Sequence, residues 1–439
     1  MSSGFLRVSI LAVLPVLAAG CGGTVSGSGS SGGSPTTVKM TFTPATPTAV
    51  AVQIGAGAYT TQTLSSGVLS FSLPSGTSTY AVAYICTPAA LTENGQQYAT
   101  TMETVVEAST ADATSLVEQC FYNLQSGAAA LPPGPTAALA VSINASAIPS
   151  AASLLVVATN GKNGTQQSFS TASASGSFAA PQGTDRVEIF VLDANGSLVA
   201  ARNVSSQAVP GSLNGGTTIV LGAADETQPK AISYGNVPAQ FAPSSTAVFF
   251  NMSPVSLGIG PSTTQYPSLP AAAMESGDSY SLYASAGPIV HSAIAESVSA
   301  FVNSTSAGPA TFNFPAPWSY NGPTPAAWPT FDFSGYTAFA GKPGIIYNAG
   351  FFWTDGTNGA IGTSQYSVAV FASENFLHGA TRLTIPDLSS LPGFFPAPAT
   401  GADVSWNAGI NQSSEDFPLL TLPNSTAIGV EDSGDYTEP

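Results

Sequence analysis

Two histidines and three cysteines are the only side chains in this 439-residue chain that ordinarily act as bases or nucleophiles near neutral pH. His291 lies in Ile289-Val290-His291-Ser292, which reads as a strand, and His378 precedes Gly379 in a predicted loop. Neither carries a motif that would pair it with a nucleophile, so structural or solvent-facing roles are expected for both. Zinc needs three or four clustered ligands, and the sequence offers no His/Cys cluster. The twenty-four acidic residues could hold a carboxylate pair for glycoside hydrolysis, but the sequence brings no two together. Asp355–Gly359 and Glu431–Asp435 present oxygen ligands without completing a calcium loop. Turn chemistry accounts for the first, and a solvated acidic tail for the second. The expectation is a chain without catalysis, metal or cofactor.

Aromatic residues are the stronger signal. Thirteen of the forty-one fall between Phe312 and Trp353. Trp318, Tyr320 and Trp328 stand among Pro323, Pro325 and Pro329, where a central strand could not keep its ladder. Rings on such a loop either pin it to a core or stack on a ligand such as a sugar. Trp318, Tyr320, Trp328 and Trp353 are therefore the candidate ligand-binding residues, with core packing as the competing role.

The cysteines divide by position. Arg7 and the apolar run Val8–Ala19 form a charged and then hydrophobic leader, too short to span a bilayer. It ends Leu17-Ala18-Ala19-Gly20-Cys21, which resembles the lipobox of bacterial lipoproteins. That resemblance implies removal of residues 1–20, acylation of Cys21, and a membrane partner through the N-terminal lipid. Gly22 stands where that family's inner-membrane retention signal has Asp, which points to the outer membrane or cell surface. Residues 21–36 continue as a Gly/Ser tract, a flexible tether of roughly 20 Å. The GxGxxG and GxSxG spellings inside it neither follow a strand nor open a helix, so they are linker composition. Cys86 and Cys120 remain, and in an oxidising compartment a disulfide between them is expected. Two free thiols or a thiolate metal site are the alternatives.

Strands must position these residues, since no dozen residues beyond the leader keep a helical period. Ala271–Glu275 is the best short helix candidate. Thr37–Thr43, Val68–Leu73 and Tyr80–Ile85 alternate with period two. Asp193-Ala194-Asn195-Gly196 and Asn160–Gly164 read as hairpin turns. Charged residues are only 7% of the chain, and Gly and Pro number 44 and 34. A net charge of −16 without a basic stripe excludes nucleic acid as a partner.

One repeat is visible. Leu69–Ile85 and Gly176–Leu192 align at a constant offset, matching Phe71 with Phe178, Pro74 with Pro181 and Gly76 with Gly183. Tyr80, Val82 and Tyr84 then fall on Val187, Ile189 and Val191, one face of a strand. This strand–Pro-x-Gly–strand signature resembles transthyretin-like, carboxypeptidase-regulatory-like and immunoglobulin-like modules, which implies β-sandwich domains acting as spacers.

The expected architecture is all-β with tandem β-sandwich domains. The segments are 1–20 signal, 21–36 tether, 37–124 first sandwich, 137–223 second sandwich, and 231–439 as one or two more. Tyr280–Ala284 and Tyr366–Val370 hint at two related strands there. The expected role is structural or adhesive, in the cell envelope, with an envelope protein or a glycan as partner. A carbohydrate-binding lipoprotein using the aromatic loop, and more remotely a hydrolase in 231–439, are the alternatives.

Overall fold

The computed structural model describes residues 35–438, apart from 44–45, 87–90, 94–95, 99, 121–134, 162, 253–254, 261, 290–294, 319, 339–343, 355–364 and 415–425. The fold is all-β and built of sandwiches. The one described α-helix is the single turn Glu374–Leu377, and Ala271–Ala273 forms only a 3-10 turn. Both predicted hairpins form. Asp193 Oδ1 accepts from the Asn195 and Ser197 N–H groups, and Gly196 takes φ +80° to close the first.

The same strand plan occurs four times. In residues 36–119, Thr36–Thr43 lies between antiparallel Val68–Leu73 and parallel Ser115–Gln119. Facing it is a second sheet in the order Thr60–Thr61, Ala49–Ile54, Thr79–Cys86, Thr100–Ser109. In residues 136–220, Thr136–Asn144 takes the first role, with Ser173–Pro181 antiparallel and Gly211–Ser212 and Ile219–Val220 parallel. Its second sheet runs Gly164–Phe169, Ser153–Thr159, Gly183–Leu192, Leu198–Val209. Residues 228–313 repeat the plan with Gln228–Gly235 between Gln265–Ser268 and Ala310–Asn313. The matching second sheet is Val255–Gly258, Phe241–Met252, Ser279–Pro288, Ala295–Ser304.

Residues 330–437 form a reduced fourth unit. Its first sheet is Thr330–Asp332 paired only with Arg382–Thr384, among the described residues. Its second is Gln365–Ser373, Gly344–Thr354, Asp403–Ser413, Thr426–Thr437. The counterpart of Ser279–Pro288 is thus Asp403–Ser413. The suggested kinship of Tyr280–Ala284 with Tyr366–Val370 fails, because alternation marks a strand and not its place in a sheet.

Three of the second sheets fuse. Ala295–Ser304 pairs antiparallel with Thr426–Thr437, and Gln365–Ser373 pairs parallel with Thr100–Ser109. A single 12-stranded sheet results, running unit three, unit four, unit one. Unit two keeps its own sheets and packs on unit three, with Phe190 edge-on to Phe250 at 6.4 Å.

Register carries each face across the whole sheet, since directly opposed residues share a side. One face holds Tyr280, Leu282, Trp406, Ala408, Ile410, Phe351, Trp353 and Val105, all in the largest core. The other face holds Tyr80, Val82 and Tyr84, which belong to the separate core of unit one. Unit one therefore lies on the opposite side of the sheet from the small sheets of units three and four. Val187, Ile189 and Val191, the repeat partners of Tyr80, Val82 and Tyr84, sit in the core of unit two.

Glu431–Asp435 is not a solvated tail. It lies inside the strand Thr426–Thr437, with Asp432 fully buried. Polarity in this segment marks alternate faces of an interior strand.

Candidate functional site

The aromatic segment covers the core face of unit four. This unit has only three-residue strands in its small sheet, so bulky rings fill the space that a third strand fills elsewhere. Trp318 is 6% exposed and nearly parallel to Tyr320 (4.9 Å) and to Phe333 (5.2 Å). Tyr320 meets Trp406 edge-on at 5.6 Å, and its N–H donates to Asp432 Oδ2 at 2.7 Å. Trp328 meets Phe351 edge-on at 5.7 Å. Tyr436 O–H, on the last strand, donates to the Ala326 carbonyl at 2.8 Å and ties down the Pro-rich stretch between them.

Of the four candidates, Trp318 and Trp353 are buried, while Tyr320 and Trp328 are half-buried. Trp353 is nearly parallel to Phe351 at 4.9 Å and to Tyr366 at 5.1 Å. Trp318 and Trp353 each have parallel protein neighbours where a sugar ring would stack. Trp318, Tyr320 and Trp328 share one layer over the sheet; Trp353 lies further along it, against Phe395.

Trp406 joins this cluster although its sequence context drew no notice. A Cβ on Gly322 would come within 2.8 Å of its ring, and one on Gly434 within 2.9 Å. The indole is seated between two backbones. Its signal was present as the alternation Val404, Trp406, Ala408, Ile410.

Cys86 and Cys120 form a disulfide, with Cα atoms 5.2 Å apart, inside the core of unit one. Cys21, His291 and the segment Asp355–Gly359 lie outside the described residues. His378 is exposed and caps the short helix in a left-handed conformation.

The acids the sequence could not place are the larger surprise. Burial pushes Glu103 up to about 7 and Glu107 to about 8. Both lie on the outer face of unit one, beneath the segment that carries Phe395, whose N–H donates to Glu103 Oε2 at 3.3 Å. Glu103 Oε1 and the Tyr59 hydroxyl have no partner there, and the Tyr59 pKa is raised by burial and by both carboxylates. The two acids are four residues apart on one strand, about 13 Å along it. Paired glycosidase carboxyls sit roughly 5–9.5 Å apart. Burial likewise lifts Asp432 to about 7, with Glu296 and Glu431 adding and the Tyr320 N–H opposing.

Between units two and three, Arg186 donates to Asp278 at 2.6 Å and to Glu188 at 3.1 Å, clamping the two units. Burial still raises Glu188 to about 8. Among the described residues, no three His, Cys, Asp or Glu gather as a metal-binding group. No described helix is long and apolar enough to cross a membrane.

No family model matches this sequence, and no curated protein is similar to it.

Proposed function

We propose that this chain is a lipid-anchored protein of the bacterial envelope or cell surface, with a structural or adhesive role that involves no catalysis. The observation that carries the reading is Leu17–Cys21 followed directly by a Gly/Ser tract that leads to the first strand at Thr36. A lipid on Cys21 would hold the all-β body a tether's length, roughly 20 Å, from the membrane.

The body suits that role. Three sandwich units locked by one shared sheet, with the second unit packed on the third, make a stiff object, and its densest aromatic cluster packs against its own core. The experiment is cell fractionation of the full chain and its Cys21→Ser variant. The variant should move from membrane to soluble fraction and lose the mass of the acyl chains. Unchanged partition would overturn the anchor.

A further inference from the structure

Among the described residues, no small sheet covers one long stretch of the 12-stranded sheet. Beyond unit one, the side carrying Tyr80, Val82 and Tyr84 continues across units four and three. There it presents Phe371, Asn348, Gly409 and Glu431 in one row, and Ile346, Asn411, Gly429 and Ser299 in the next. Eight strands at about 4.8 Å spacing make a surface roughly 34 Å wide. Phe249, Tyr283, Phe301, Phe352 and Phe371 stand on it half-buried, so part of each ring meets solvent.

At its centre is a shallow notch lined by Tyr283, Ser299, Asn348, Asn411, Gly429 and Glu431. Its floor is made by asparagines lying over directly opposed glycines. Asn348 faces Gly409, and Asn411 faces Gly429; a Cβ at those glycines would come within 2.9 Å and 2.6 Å of the amide oxygens. Asn407 lies over Gly350 in the same way. The amides are chained, Asn411 Nδ2 donating to Asn348 Oδ1 at 3.0 Å and Asn407 Nδ2 to Glu431 Oε1 at 3.2 Å. Such a floor offers fixed donors and acceptors side by side, and ring surface flanks it at Tyr283 and Phe301.

From this geometry we infer that the open face of units three and four binds a neutral glycan, with the Asn348–Asn411–Glu431 notch taking hydroxyl groups and the flanking rings taking the apolar face of a sugar. The chemistry of the face selects that class. None of its eight strands contains Lys, Arg or His, so phosphate or sulfate would meet only Glu431, Asp403 and Asp435. A calcium ion takes six to eight oxygens and usually several carboxylates, whereas Glu431 is the only acid lining the notch. A second copy paired on this face by a two-fold would oppose like-charged carboxylates. Burial also pushes Glu431 up to about 7, against the Asn407 amide, so near neutral pH its carboxyl can donate as well as accept. The inference goes beyond the envelope role and does not depend on Cys21.

The test is calorimetric titration of the full chain with soluble hexasaccharides of glucose, xylose and N-acetylglucosamine, with hydroxyl-radical footprinting of the same mixtures. At least one probe should bind, with Tyr283 and Phe301 protected and Trp328 unchanged. Asn411→Ala and Tyr283→Ala should weaken it at least tenfold. If a variant loses its β-sheet circular dichroism, the footprint of the unaltered chain decides. Absence of binding to all three probes, protection at Tyr320 and Trp328 instead, unchanged affinity in both variants, or loss of binding on adding a chelator would each overturn the proposal. So would concentration-dependent dimerisation that shields Tyr283.

Discussion

Trp406 is buried between two glycine backbones. Its contacts with Tyr320 and Phe331, and the two glycine backbones beside it, leave no space for an added methyl. Gly434→Ala should therefore destabilise by about 1–3 kcal/mol. Gly322→Ala should do more, because its φ of +90° also disfavours a side chain. Trp406→Ala and Trp318→Ala should each cost about 3–5 kcal/mol, read from thermal or denaturant unfolding. The buried acids make a second residue-scale prediction. Glu103, Glu107, Glu188 and Asp432 hold protons in the folded chain up to about pH 7 or 8, whereas the unfolded chain releases them near 4 to 4.5. The folded state then binds more protons across that interval, so stability is greatest below it and falls as pH rises through it. The melting temperature should drop between pH 5 and pH 8, and Glu107→Gln should flatten the slope. A melting temperature that rises over that range would mean these carboxylates are solvated.

The strands were legible from their period-two alternation, even where the fold buries both faces. Tyr80, Val82 and Tyr84 alternated with small residues, and all three are buried, as are Val187, Ile189 and Val191. Pairing between distant edges was not legible. Nothing local in Thr100–Ser109 names Gln365–Ser373 as its neighbour, because a parallel ladder depends on backbone groups that every sequence shares. Glu431–Asp435 reads differently for a related reason: three acids in five residues resemble a solvated turn, and only the partners on either side reveal an interior strand. The parallel ladder also alters what the disulfide should do. Cys86–Cys120 closes a span of 34 residues, worth about 4 kcal/mol in the chain-entropy model. Reduction should loosen unit one and, through the shared ladder, raise hydrogen exchange at Gln365–Ser373. Unchanged exchange there would show that the two units hold their edges independently.

Over the whole molecule, shared cores and one spanning sheet tie together units that are separate along the chain. The largest hydrophobic cluster draws on all four units, and the shared sheet crosses three of them in the order three, four, one. Four units of one plan came from a repeat seen only twice in sequence, because units three and four keep the pairing without keeping the Pro-x-Gly turn. Deleting residues 36–120 should bare the edge of Gln365–Ser373, an apolar strand without charge. Size-exclusion chromatography should then show oligomers, and Ala369→Lys on that edge should restore the monomer.

The order of synthesis gives that shared ladder a further meaning. A chain emerging amino end first completes Thr100–Ser109 early, yet the strand that closes its outer edge belongs to the fourth unit, made much later. Until Gln365–Ser373 arrives, unit one carries an open strand edge and an uncovered patch holding Ala83, Ile85 and Val105. A product truncated anywhere before the fourth unit keeps both. The fourth unit is thereby written into the surface: a chain that includes it hides the edge of unit one, and a chain cut before it displays that edge to any chaperone or protease it meets.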